Sequence, residues 1–162
     1  MRSSRPTEPG RGLRFEELAP GQRFEGPGIT VTEADIIDFA RTWDPQPFHV
    51  DRQAATDSVF GGLVGSGLQT ILLSYWLYLR TGLLEGTALA GIGMDEVRFL
   101  RPLMPDRTLR VRITILETTP TRRPDRGRVR LAIEAFDDEG EGAVLRLVLI
   151  ALVAAGQDPG PA

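Results

Sequence analysis

The second half of the chain carries its apolar residues with a period of two. Between Thr108 and Leu116, Leu109, Val111, Ile113 and Ile115 alternate with polar positions, the pattern of a strand with one face in a core. This strand is expected over residues 108–118, and 92–100, 128–136 and 144–153, also rich in β-branched residues, predict three more. Pro102 and Pro105 separate the first two, residues 119–127 make a longer hairpin loop, and the run DDEGEG at 137–142 makes another turn. The first half follows a helical period. After a short extended piece at 22–30, Thr32 followed three residues later by Asp35 has the form of a helix N-cap. Ile36, Ile37, Phe39, Ala40 and Trp43 give that helix an apolar face, and it must stop before Pro45. The run LQTILLSYWLYL at 68–79 is apolar around most of its circumference, as expected of a buried core helix. Gly82 offers this helix a C-cap, and a Gly-rich connection leads to about residue 91. The elements predict an α+β fold in which an antiparallel meander packs against one long helix.

Composition narrows the classes of function. A chain of 162 residues with 41% hydrophobic content supports one domain with a real core. Residues 1–14 mix Ser, Pro, Gly and Arg without periodicity and are expected to be a disordered tail; the domain is expected over 15–156, with a second tail at 157–162. A net charge of −3 argues against an electrostatic nucleic-acid binder. With no cysteine, thiolate nucleophiles, disulfides and sulfur-ligated metals are excluded, and a single histidine leaves few metal ligands, so no metal or redox cofactor is expected. All 19 basic residues are arginine, which removes Schiff-base lysine chemistry. The N-terminus shows no secretory apolar region, and no uninterrupted apolar run reaches about 18 residues, so a soluble cytoplasmic protein without a membrane partner is expected.

The candidate chemistry lies in one stretch, WDPQPFHVDRQAATDSVFGGLVGSGLQT, at residues 43–70. Asp44 and the only histidine, His49, flank Pro45 and Pro47, which predict a stiff, non-helical loop able to aim a carboxylate and an imidazole at one point. A short helical turn is expected at 51–56, and the glycines 61, 62, 65 and 67 precede the apolar helix. Taken singly, an Asp before Pro reads as a turn carboxylate and a lone His as a partly buried structural residue. Together, with the surrounding prolines and glycines, they read as an acid/base pair. Gly67 reads either as close packing at a helix start or as a backbone amide available to a substrate oxygen. Ser66 reads as an N-cap hydroxyl, and Asp51 as structural.

These residues carry a resemblance. Asp44, Gln46, Pro47, His49 and Asp51 follow the pattern DxNPxHxD, and Ser66 with Gly67 stands where an HG pair opens the buried helix. The segment MDEVRFLRPLMPDRTLRVRITI at 94–115 matches a further aromatic, basic, proline and polar-turn pattern before a long strand. In these features the chain resembles the MaoC-like dehydratases and (R)-specific enoyl-CoA hydratases of the hot-dog fold, over roughly residues 15–154. Two positions depart from the family pattern: Gln46 replaces the usual Asn, and Ser66 replaces a common His. Both leave the acid/base pair in place: Gln46 keeps an amide one methylene longer, which changes how a loop-closing hydrogen bond is reached, and Ser66 keeps a hydroxyl but no titratable group, which bears on substrate preference.

The resemblance implies a single hot-dog domain, an antiparallel sheet wrapped around a long helix, with water added to or removed from an enoyl-CoA or carrier-protein thioester. Asp44 and His49 would then move the protons, while Gly67, through its backbone amide on the thioester oxygen, and Ser66 would bind the substrate. Tyr75 and Trp76, with Tyr78, either line an acyl tunnel or fill the core. Arg122, Arg123, Arg126, Arg128 and Arg130 either meet the phosphates of coenzyme A or form a solvated hairpin. The resemblance also implies a homodimer or an assembly of dimers. A thioesterase, or an acyl-binding subunit without chemistry, would use the same fold.

Overall fold

The computed structural model describes residues 11–140 and 142–156. Five strands form one antiparallel sheet: β1 (Arg23–Val31), β2 (Ala88–Phe99), β3 (Arg107–Pro120), β4 (Arg126–Phe136) and β5 (Leu145–Ala154), in the spatial order β1-β3-β4-β5-β2. Four helices lie between β1 and β2: α1 (Glu33–Trp43), α2 (Pro47–Val50), α3 (Arg52–Thr56) and α4 (Gly67–Leu79). The expected strands are all present, and β2 begins at Ala88, earlier than the Gly-rich sequence suggested.

The alternation in β3 does what its period requires. Leu109, Val111, Ile113 and Ile115 are buried on the face covered by α4, and the register places Ile113 beside Ile133, and Ile133 beside Leu147. This inner face, with Leu77 and Tyr78 of α4 and Ile36 of α1, forms the core.

The meander is only partly as expected. β3, β4 and β5 follow one another, but β2 pairs with β5 at the opposite edge of the sheet from β1. The connection between β2 and β3 contains Pro102 and Pro105, and its Leu103 carbonyl accepts the Gly65 N–H at 2.7 Å. That segment is therefore tied to the turn before α4 and carries the chain across the end of the sheet; no tight hairpin joins β2 to β3.

Two burial expectations change. Trp43, assigned to the buried face of α1, is exposed, whereas Ile36 and Ala40 are fully buried. Nor is α4 covered all round: Leu68, Leu72, Trp76 and Leu79 form an outward stripe that is about half exposed. Residues 1–10 and 157–162, expected as tails, lie outside the described residues, but Gly12 and Leu13 donate backbone hydrogen bonds to the carbonyls of Glu85 and Leu83. Ordered pairing thus begins before residue 15.

Candidate active site

Asp44 arrives at the end of α1. The helix starts on a reciprocal cap, with Thr32 Oγ1 accepting the Asp35 N–H at 3.2 Å and an Asp35 carboxylate oxygen accepting the Thr32 N–H at 2.8 Å. It ends because Pro45 cannot continue it, and Asp44 takes the C-cap position, its N–H still bonded to the Ala40 carbonyl. The stiff loop expected to follow is shorter than predicted. Pro47 occupies the first position of α2, where its missing N–H and fixed φ suit a helix, so His49 is aimed by one helical turn and not by an extended loop. Asp51 caps α3 by accepting the Ala54 N–H at 2.8 Å, which gives it the structural role expected.

The imidazole of His49 is buried, with Nδ1 2.6 Å from the Val64 carbonyl oxygen. A carbonyl only accepts, so Nδ1 carries a proton, and in the neutral ring Nε2 holds the lone pair. Nε2 lies 3.5 Å from Asp44 Oδ2. Both oxygens of Asp44 are hydrogen bonded: Oδ2 accepts from Ser66 Oγ at 2.6 Å and Oδ1 accepts from Gln46 Nε2 at 2.9 Å. The Ser66 hydroxyl first, then the Gln46 amide, hold this carboxyl below the usual aspartate range; partial burial opposes them, and the facing imidazole adds to the lowering. Asp44 is therefore an ionised, fixed carboxylate at neutral pH.

Ser66 takes the N-cap position that its hydroxyl suggested. It is fully buried, and its Oγ accepts the Leu68 N–H at 3.1 Å while donating to Asp44, so it caps α4 and orients the dyad. Gln46, one methylene longer than the amide of the family pattern, reaches back to donate directly to the Asp44 carboxylate.

Gly67 is the first residue of α4, so its N–H has no intrahelical acceptor and sits at the positive end of the helix. Gly67 borders a cavity of about 410 Å³ that Asp44 and His49 also line. Phe48, Phe60 and Phe99 supply much of its apolar wall. Tyr75 and Trp76 do not reach it. Tyr75 packs its ring on Tyr78 at 5.6 Å, and Trp76 borders a separate cavity between β1, α1 and α4. None of the five hairpin arginines lines the dyad cavity, and three are held by carboxylates: Arg126 by Asp125, Arg128 by Glu117, and Arg130 by Asp95, Glu96 and Glu117. The arginine that does line it is Arg101, whose Nη2 donates to Asp137 Oδ1 and to the Gly142 carbonyl, each at 2.9 Å.

Sequence reading missed Val64, Phe99 and Arg101. Val64 acts through its carbonyl, which no side-chain pattern reports. Phe99 and Arg101 belong to the aromatic, basic and proline segment, which had been matched without a role. Among the described residues, no group of three or more His, Asp or Glu side chains is placed to hold a metal ion, and no helix is long and apolar enough to cross a membrane.

An ionised carboxylate and a lone-pair nitrogen thus meet at one end of an apolar cavity, next to an unbonded helix-start amide. This arrangement has the groups that proton transfer requires beside an apolar cavity, set in an antiparallel sheet packed on a helix. The MaoC-like domain model matches residues 15–135, and the chain belongs to that family of hot-dog dehydratases. It is similar to a MaoC-like dehydratase from Rhodospirillum rubrum, with 37% identity, a TM-score of 0.84 and coverage of 90% of this chain and 99% of the other. The uncharacterized protein YdeM of Bacillus subtilis is 30% identical over 82% of this chain and 98% of its own length. The unliganded R-hydratase PhaJ1 of Pseudomonas aeruginosa superposes with a TM-score of 0.63 at 26% identity, covering 91% of this chain and 88% of that one.

Proposed function

We propose that this protein adds water across the 2,3 double bond of an enoyl thioester, or removes it from the 3-hydroxyacyl thioester, with coenzyme A or a carrier protein as the thiol. The observation that carries this reading is the His49 ring, with Nδ1–H fixed on the Val64 carbonyl and the Nε2 lone pair turned to Asp44 Oδ2. A water hydrogen bonded to both Nε2 and Oδ2 from the cavity side is oriented by the carboxylate and gives one proton to Nε2 as its oxygen bonds to C3 of the substrate. The π electrons move onto the thioester oxygen, where the Gly67 amide meets the developing negative charge. The enolate then returns that electron pair to C2, which takes the proton from Nε2. Water has been added and both side chains are restored. Asp44, already held low, stays ionised and stabilises the transient imidazolium, so His49 is the proton carrier. No metal or redox cofactor enters this scheme.

A panel of enoyl-CoA esters of graded length tests the reading. Loss of the conjugated double-bond absorbance without release of free thiol is the expected result. Thiol release without hydration would assign a thioesterase instead, and neither signal would leave an acyl-binding subunit.

The half-exposed stripe of α4 and the open edge of β2, with Ile92 and Met94 exposed, support a homodimer as the working form. Light scattering at micromolar concentration is expected to give twice the chain mass; a stable monomer would contradict it.

A further inference from the structure

We infer that Phe99 is a positioning residue of this site: its ring holds the thioester against the Gly67 amide and is the reason position 67 bears no side chain. This inference rests on the enoyl-thioester reading for its substrate, though not for its geometry. A Cβ built on Gly67 would lie 2.7 Å from both Cε1 and Cζ of Phe99 and 3.0 Å from Cε2, so the tip of the ring sits directly on the Gly67 methylene. Both residues border the cavity that holds Asp44 and His49.

The backbone around the ring is pinned on both sides. Phe99 pairs with Leu145 at the end of β2, the Leu100 N–H donates to the Val144 carbonyl at 2.9 Å, and Leu103 accepts from Gly65 two residues before Gly67. Phe99 as a whole residue is 57% exposed. Such a side chain contributes little to the core, yet its backbone is held against the start of α4 from two directions. A carbonyl oxygen accepting from the Gly67 N–H brings the thioester carbon and its neighbours alongside this ring. Contact with the ring excludes water from that side of the oxygen, which strengthens the hydrogen bond to the amide as negative charge develops. The geometry also gives glycine a specific reason here: a methyl at position 67 collides first with Phe99.

The test uses butanoyl-CoA, a saturated thioester that cannot be hydrated, so its binding is read independently of the reaction. By calorimetry, Phe99→Ala is expected to weaken binding by roughly tenfold or more, Phe99→Tyr to bind like wild type, and the melting temperature to change little because the residue is more than half exposed. Gly67→Ala is expected to bind poorly, and Phe99→Leu in that background to restore part of the affinity by vacating the space the methyl needs. Should Phe99→Ala fold poorly, Phe99→Leu alone provides the same reading. Binding by Phe99→Ala within about twofold of wild type, or no binding by wild type, would overturn the assignment. Phe99-dependent binding with no hydration of any enoyl-CoA would overturn the reaction proposed above and leave the role of Phe99 standing.

Discussion

Two parts of the cavity lining are built in opposite ways. On one side, Asp44 and His49 are mostly buried with Ser66 fully buried behind them, and each polar atom that orients the dyad has a partner: Val64 for Nδ1, Ser66 and Gln46 for the carboxylate, the Leu68 amide for the Ser66 hydroxyl. Elsewhere in the lining, Phe99 is apolar and more than half exposed, and it sits on a strand at the edge of the sheet. Proton transfer needs fixed distances, and a fully bonded network in a low-dielectric site provides them. Acyl groups vary in length and need only an apolar surface. On the proposed function, the contrast separates the part of the site that sets the reaction from the part that sets the substrate.

The sharpest way to break this contrast is to remove the proton carrier or its counter-ion. His49→Ala and Asp44→Asn are each expected to lower hydratase kcat by about 100-fold or more, since general acid/base contributions run at that scale, while circular dichroism shows the fold retained. Near-wild-type rates in both would detach the dyad from catalysis.

Gly67→Ala comes next, because it acts where the two parts meet. Its clash is with the far end of an exposed ring, which gives way at little cost, so the protein should melt within a few degrees of wild type. The same movement disturbs the oxyanion position, and kcat/KM should fall by about 100-fold, as for loss of one such donor. Full specific activity would remove the Gly67 amide from the mechanism.

Ser66→Ala is expected to have the smallest effect and the most specific signature. Losing the α4 cap should cost about 1 kcal/mol of stability, and kcat should fall by roughly tenfold as Asp44 loses its first restraint. Because the native pKa of Asp44 is depressed, mainly by Ser66, its ionised form stabilises the fold above the unfolded value of about 4, and that contribution disappears as pH falls through the lower native value. The stability gap between wild type and Ser66→Ala should therefore narrow in acid. Urea titrations at neutral pH and near pH 3 measure it, and a gap that did not change with pH would place the serine in capping alone.

Much of this protein is legible from local pattern. Period-two alternation identifies β3, the Thr32–Asp35 box starts α1, and Pro45 ends it at Asp44, all because these signals depend on neighbours within a few residues. The dyad candidates are legible for a simpler reason: the chain has one histidine, and a carboxylate stands five residues before it. Which atoms face one another was decided only by the tertiary fold. The placement of β2 beyond β5, the carbonyl of Val64 that selects the tautomer of His49, the hydroxyl of Ser66 that lowers Asp44 and the ring of Phe99 that lies on Gly67 all join residues far apart in the chain. Side-chain periodicity reports which face of an element is apolar, and it is silent on which partner that face or a backbone carbonyl will meet, because that choice follows from the packing of the whole sheet against α4.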